Sequence, residues 1–197
     1  MVKIVSRQVT GEVKQPRVHA PRIVQQPLIS LLTDFGRDEA VFLVKSAIRH
    51  VNPDARIDDL THEVPAFNIL SGAWRLSRAV TDPTQKEGGI YVAVVDPGVG
   101  GERTGLIVRT KRGKYLVGPD NGLLSLAFQA EGIETAVAIT NTELTLRALA
   151  QSVTFDGKDV FGPAAAHLAA GVDIREFGDV VPEAGLRKIL LTATSEG

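Results

Sequence analysis

The segment Ile90-Tyr91-Val92-Ala93-Val94-Val95 is an unbroken apolar run that leads directly into Asp96-Pro97-Gly98-Val99-Gly100-Gly101. Side chains of a strand alternate between two faces, so a strand with no polar residue on either face must be covered on both sides. A chain carrying such a strand is committed to a sheet with helices above and below it. The remaining sequence supplies those parts. Leu28-Ile29-Ser30-Leu31-Leu32 is a second buried strand, ending at Asp34 and Gly36. Residues 38–51 have helical spacing, with Val41, Val44, Ile48 and Val51 on one face, and Asn52-Pro53-Asp54 closes that helix. A short strand is predicted over 56–60, a helix over 69–80 and a strand over 135–140, and an Ala-rich helix over 162–171 that Gly171 stops. Segments 105–110 and 114–118 flank Lys111-Arg112-Gly113, a hairpin signal. Strands alternating with helices predict an α/β fold: a mostly parallel central sheet sandwiched between helices, three layers in a Rossmann-like arrangement.

The first 27 residues do not share this pattern. Lys3, Arg7, Lys14, Arg17 and Arg22 face a single acid, Glu12, and Pro16, Pro21 and Pro27 interrupt any regular element. Residues 1–27 are therefore read as a basic, flexible arm of charge +4, on a body whose 17 basic and 22 acidic residues give −5. Residues 28–181 form the α/β domain and 182–197 a C-terminal tail.

Composition excludes several chemistries. Without cysteine there is no thiol nucleophile, no Cys-ligated metal and no disulfide framework. A net charge of −1 provides no overall basic field for nucleic acid. No apolar run approaches the roughly 18 residues of a membrane span, and no secretory leader pattern is seen. The expectation is a soluble, cytoplasmic protein that binds neither nucleic acid nor membrane.

In open α/β sheets ligands bind beyond the carboxyl ends of the strands. Three strand exits each set an Asp beside glycines: Thr33-Asp34-Phe35-Gly36, Asp96-Pro97-Gly98-Val99-Gly100 and Gly118-Pro119-Asp120-Asn121-Gly122. None fits a phosphate-binding loop, and no Ser stands in a nucleophile elbow. Carboxylates at strand ends can accept hydrogen bonds from ribose hydroxyls and ammonium groups, or they can ligate a hard metal. The residues alone leave two readings: a ribose-containing ligand, or a Mg²⁺-dependent hydrolase using Asp34, Asp96 and Asp120.

Taken in order, the motifs resemble one family. Leu32-Thr33-Asp34-Phe35-Gly36, Asp59-Leu60-Thr61-His62-Glu63-Val64-Pro65, Asp96-Pro97-Gly98-Val99-Gly100, Gly118-Pro119-Asp120-Asn121-Gly122 and Thr154-Phe155-Asp156-Gly157-Lys158-Asp159 are similar to those of the SAM hydroxide adenosyltransferases, relatives of fluorinase and chlorinase. The resemblance implies splitting of S-adenosylmethionine (SAM) into adenosine and L-methionine by water or hydroxide attack at the ribose C5′. It implies no cofactor or metal, SAM being the substrate, and it implies a homotrimer. By position, Asp34 would hold the ribose diol, Asp38 would lie near the substrate ammonium, and Phe67 near the ribose and adenine, with Asp120 and Asn121 as further substrate-binding residues. Asp96 and Arg103 match two members of the family's water-activating triad, and Asp156 stands where the third, a His, is usual. An ordinary Asp is a weaker base than imidazole by about two to three pH units. Two functions follow: a SAM hydrolase with an altered triad, or a catalytically inactive SAM- or adenosine-binding or assembly module. The resemblance also implies a C-terminal β-barrel domain beginning where this chain stops, so the expected fold is the N-terminal domain without it.

Overall fold

The computed structural model describes residues 26–149 and 155–191. The basic arm read over residues 1–27 lies outside these, apart from Gln26 and Pro27. Six strands, β1 (Leu28–Thr33), β2 (Arg56–Thr61), β3 (Ile90–Val94), β4 (Gly105–Thr110), β5 (Tyr115–Pro119) and β6 (Ile133–Ala138), form one sheet in the order β2-β1-β3-β5-β4-β6. Helices α1 (Ala40–Val51), α2 (Ile69–Thr81), α3 (Ser125–Glu131) and α4 (Gly162–Ala169) cover it. β2, β1, β3 and β5 run parallel, while β4 is antiparallel to both β5 and β6. The mostly parallel, helix-covered sheet is as expected. Its one reversed strand follows from the three-residue turn at Lys111-Arg112-Gly113, which is too short for the crossover a parallel pair requires.

The apolar run of β3 divides between two cores. Ile90, Val92 and Val94 enter the core formed with α1 and α4, and Tyr91, Ala93 and Val95 enter the core formed with α2 and α3. On α1 the buried residues Val44, Ala47 and Ile48 recur at helical spacing. Cutting Ile48 back to Ala would cost about 2–5 kcal/mol. The small side chains of α4 let it lie against both α1 and the sheet, with Ala164, Ala165 and Ala166 fully buried. Asn68 caps α2, its side chain accepting from the Ser71 N–H at 2.9 Å. At Gly118 a Cβ would overlap the Ala93 carbonyl oxygen, so only glycine allows β5 to close on β3 here.

Three elements differ from the sequence reading. α3 has only seven residues, too short to show helical periodicity. β6 begins two residues before the expected 135. A π-helical turn, Gly157–Phe161, precedes α4. The described part of the tail packs back on the domain: Leu186 is buried, and the Arg187 N–H donates to Asp120 Oδ1 at 2.9 Å.

The chain leaves β1 outward to β2 through α1 and returns to β3, on the other side of β1, through α2. This reversal between β1 and β3 is where open α/β sheets hold ligands. The register sets Thr33 beside Val94, so the two Asp-bearing exits leave adjacent strand ends.

Candidate active site

A cleft of about 340 Å³ opens at that reversal, lined among others by Asp34, Asp38, Phe67, Asp96, Phe155 and Asp156. A larger depression, about 510 Å³, lies at the opposite end of the sheet beside Gln26, Arg56, Lys86 and Tyr91, and no candidate residue borders it.

The floor of the cleft carries a chain of alternating charges. Arg103 donates through Nε to Asp96 Oδ2 at 2.7 Å, and its Nη2 bridges from the same oxygen to Asp156 Oδ2, 2.6 Å away. Asp156 Oδ1 then accepts from Arg147 Nη2 at 2.9 Å. Side-chain exposure along the series is 4% for Asp96, 8% for Arg103, 5% for Asp156 and 56% for Arg147, so the chain runs from the interior to the rim. Burial alone would lower the pKa of Arg103. Hydrogen bonds and charge from Asp96 and Asp156 outweigh it, so the guanidinium is held above its ordinary value and stays charged. Phe161 lies under the Arg103 guanidinium at 5.5 Å and fixes its plane.

Asp96 Oδ1 is shielded and accepts no hydrogen bond among the described residues. A buried carboxylate oxygen without a donor costs free energy and is uncommon. It leaves Asp96, a residue lining the cleft, with one oxygen held by Arg103 and one shielded oxygen without a donor.

Across the cleft, Asp34 Oδ2 accepts from the Phe67 N–H at 2.8 Å. Phe67 has φ of +60° and is largely exposed, a strained conformation for a bulky residue that presents the ring to solvent at the cleft. Asp38 is exposed at the mouth, its Oδ1 accepting from the Ala40 N–H. Gly157 keeps the wall thin, because a Cβ there would press on Phe155, Val44 and Phe35. Phe35 and Phe155 meet edge to face at 5.5 Å, forming an aromatic corner that the motif reading passed over.

The structure thus brings together Asp34, Asp38, Phe67, Asp96, Arg103 and Asp156. It does not bring in Asp120 or Asn121. Asn121 spans two strand exits, donating to the Val95 carbonyl and accepting from the Leu123 N–H, and Asp120 accepts from Arg187. Among the described residues no three His, Asp or Glu side chains gather as a group able to hold a metal, so the Mg²⁺ reading built on Asp34, Asp96 and Asp120 finds no assembled ligand set. His62 braces the Asp34 loop: its Nδ1 lies 2.9 Å from Thr33 Oγ1, and its carbonyl accepts from the Gly36 N–H. Arg147 was not foreseen, since it belongs to no motif and stands nine residues before its partner.

Residues 29–178 match the family model of the SAM hydroxide adenosyltransferase N-terminal domain. The chain is 37% identical over 163 residues to an (R)-S-adenosyl-L-methionine hydrolase of Methanocaldococcus jannaschii, covering 78% of this chain and 58% of that protein. A protein of the same name from Salinispora arenicola is 39% identical over 166 residues, 83% and 61% of the two chains. The crystal structure of an uncharacterized conserved protein from Thermotoga maritima superposes with a TM-score of 0.78 at 35% identity, over 84% of this chain and 62% of that one. The chain spans about three fifths of the length of the relatives it matches.

Proposed function

The chain belongs to the SAM hydroxide adenosyltransferase family through its N-terminal domain, and on that premise we propose that it hydrolyses SAM to adenosine and L-methionine. The observation that carries the reading is Asp96, a buried carboxylate on the cleft with one oxygen pinned by Arg103 and the other unpartnered.

In this mechanism the water oxygen forms a bond to the ribose C5′. The C5′–S bond breaks with its electron pair passing to sulfur, which changes from sulfonium to neutral thioether. One water proton passes to Asp96 Oδ1. The sulfonium leaves without acid assistance, so the protein has only to align the water and accept its proton. Asp34 is a carboxylate acceptor for the ribose diol, Phe67 an aromatic face for the ribose and adenine, and Asp38 a counter-charge for the ammonium. Asp156 serves as part of an altered triad: both its oxygens are occupied by arginine, so it orients Arg103 and leaves proton removal to Asp96. Chemistry here needs no metal or further cofactor.

The same reading includes a homotrimer in the cytoplasm. Phe67, Leu70 and Trp74, exposed around the start of α2, offer apolar surface for such contacts, and sedimentation velocity checks the trimer. Among the described residues no helix is long and apolar enough to cross a membrane.

Incubation with SAM, followed by chromatography for adenosine, tests the function. Adenosine above a heat-killed control is expected. Calorimetric binding of SAM with no adenosine formed would put the inactive binding module in its place.

A further inference from the structure

The charge chain does not end at Asp156. Arg147 is more than half exposed, yet one of its nitrogens reaches a carboxylate that is almost wholly buried. With Arg147 in place the series Asp96–Arg103–Asp156–Arg147 holds two anions and two cations. Without it, Arg103 alone would face two buried carboxylates, an excess of negative charge in a site with little water to screen it. Asp156 would also lose the partner on Oδ1 and be free to rotate toward Arg103. The Arg103 fork would then be drawn off Asp96, whose Oδ1 would no longer be the one left open.

We propose that Arg147 is a positioning residue for the hydrolysis: it anchors the outer oxygen of Asp156, so that Arg103 stays fixed between the two carboxylates and Asp96 keeps its free oxygen aimed at the reacting water. This rests on the function proposed above. Arg147 stands at the rim and does not border the cleft, so it acts through Asp156. The groups facing Asp156 are Arg103 and Arg147. Asp96 lies beyond Arg103, Lys158 is paired with Asp159 on the same turn, and Asp34 and Asp38 stand on the cleft opposite.

Because SAM is a cation, the role separates binding from turnover. Loss of Arg147 removes a positive charge near a cationic substrate, so KM should not rise, whereas misplacing Asp96 and its water should lower kcat. Steady-state adenosine release over a range of SAM concentrations is measured for the wild-type chain, Arg147→Ala and Arg147→Lys. Arg147→Ala is expected to lower kcat about tenfold, the scale of one charge-assisted hydrogen bond, with KM unchanged or lower. Arg147→Lys should restore most of the lost kcat. A second measurement needs no turnover: exchange of the Arg103 Nε–H with solvent by NMR on ¹⁵N-arginine protein, assigned with Arg103→Lys. The proton should exchange about tenfold faster in Arg147→Ala. Unchanged kcat and unchanged exchange would overturn the proposal. A raised KM at constant kcat would do so as well, by making Arg147 a substrate contact. If the wild-type chain forms no adenosine, hydrolysis fails as a function, and the exchange measurement still shows whether Arg147 anchors the series.

Discussion

Each end of the sheet buries an ion cluster, and each cluster contains a carboxylate oxygen with no hydrogen-bond partner among the described residues: Asp96 Oδ1 at the carboxyl end and Glu131 Oε2 at the amino end. At the amino end, Lys114, itself buried, donates from Nζ to the Val80 carbonyl in the last turn of α2 and lies 3.3 Å from Glu131 Oε1 at the end of α3. This ties two helix ends to the β4–β5 hairpin. Nearby, burial pushes the Tyr91 hydroxyl up to about 12, with Glu131 and Asp82 adding to the shift. Neither Lys114 nor Glu131 borders the cleft, whereas Asp96 and Asp156 do. A buried carboxylate oxygen without a partner therefore points to chemistry only where its residue also lines a cavity. At the other end the same feature belongs to a structural brace.

The largest expected effect tests this difference at the carboxyl end. Asp96→Asn keeps the shape of the site but removes the base, so kcat per folded molecule should fall about 10²- to 10⁴-fold, measured by adenosine release. At the amino end the consequences should reverse. Lys114→Met leaves Glu131 buried without its nearest cation and should cost about 3–5 kcal/mol in denaturant unfolding, while Lys114→Met with Glu131→Leu recovers most of it. Turnover per folded molecule should stay the same in both. A smaller effect concerns pH. Burial lowers the pKa of His167, which adjoins Ala166, whose carbonyl accepts from Asn52. Below its ordinary value near 6.5 the unfolded chain takes up a proton that the folded chain resists. This group's share of stability is therefore complete above that pH and declines as pH falls from there toward the folded pKa. His167→Gln should flatten that part of a stability–pH series. The smallest effect is at Phe67, where Gly relieves the left-handed backbone: about 1 kcal/mol of added stability is offset by the entropy of glycine, and KM for SAM should rise.

Much of this architecture is written in local pattern. The unbroken run of β3 requires two covered faces, and the alternate assignment of Ile90, Val92 and Val94 against Tyr91, Ala93 and Val95 delivers them. Strand exits bearing Asp beside Gly mark the end of the sheet where a ligand can sit. What local pattern does not carry is which exits converge. Asp120 follows β5, next to β3, yet its carboxylate is taken by the tail, a contact between residues 67 positions apart. The spacing of Asp96 and Arg103 hints at their pairing, but no local pattern marks the contact that Arg147 makes with Asp156 nine residues later. α3 was hidden for a different reason, since seven residues give too few turns to display a period.

In the proposed hydrolysis the carboxyl-end cluster delivers a water to C5′ through Asp96. Reaction of the wild-type chain and of Asp96→Asn with SAM in ¹⁸O-labelled water, with mass spectrometry of the adenosine formed, tests it most directly. Water delivery through Asp96 predicts adenosine carrying one ¹⁸O at the 5′ oxygen from the wild type, and at least about 100-fold less from the variant. Adenosine without label, equal yields from the two proteins, or none from the folded wild type would contradict it.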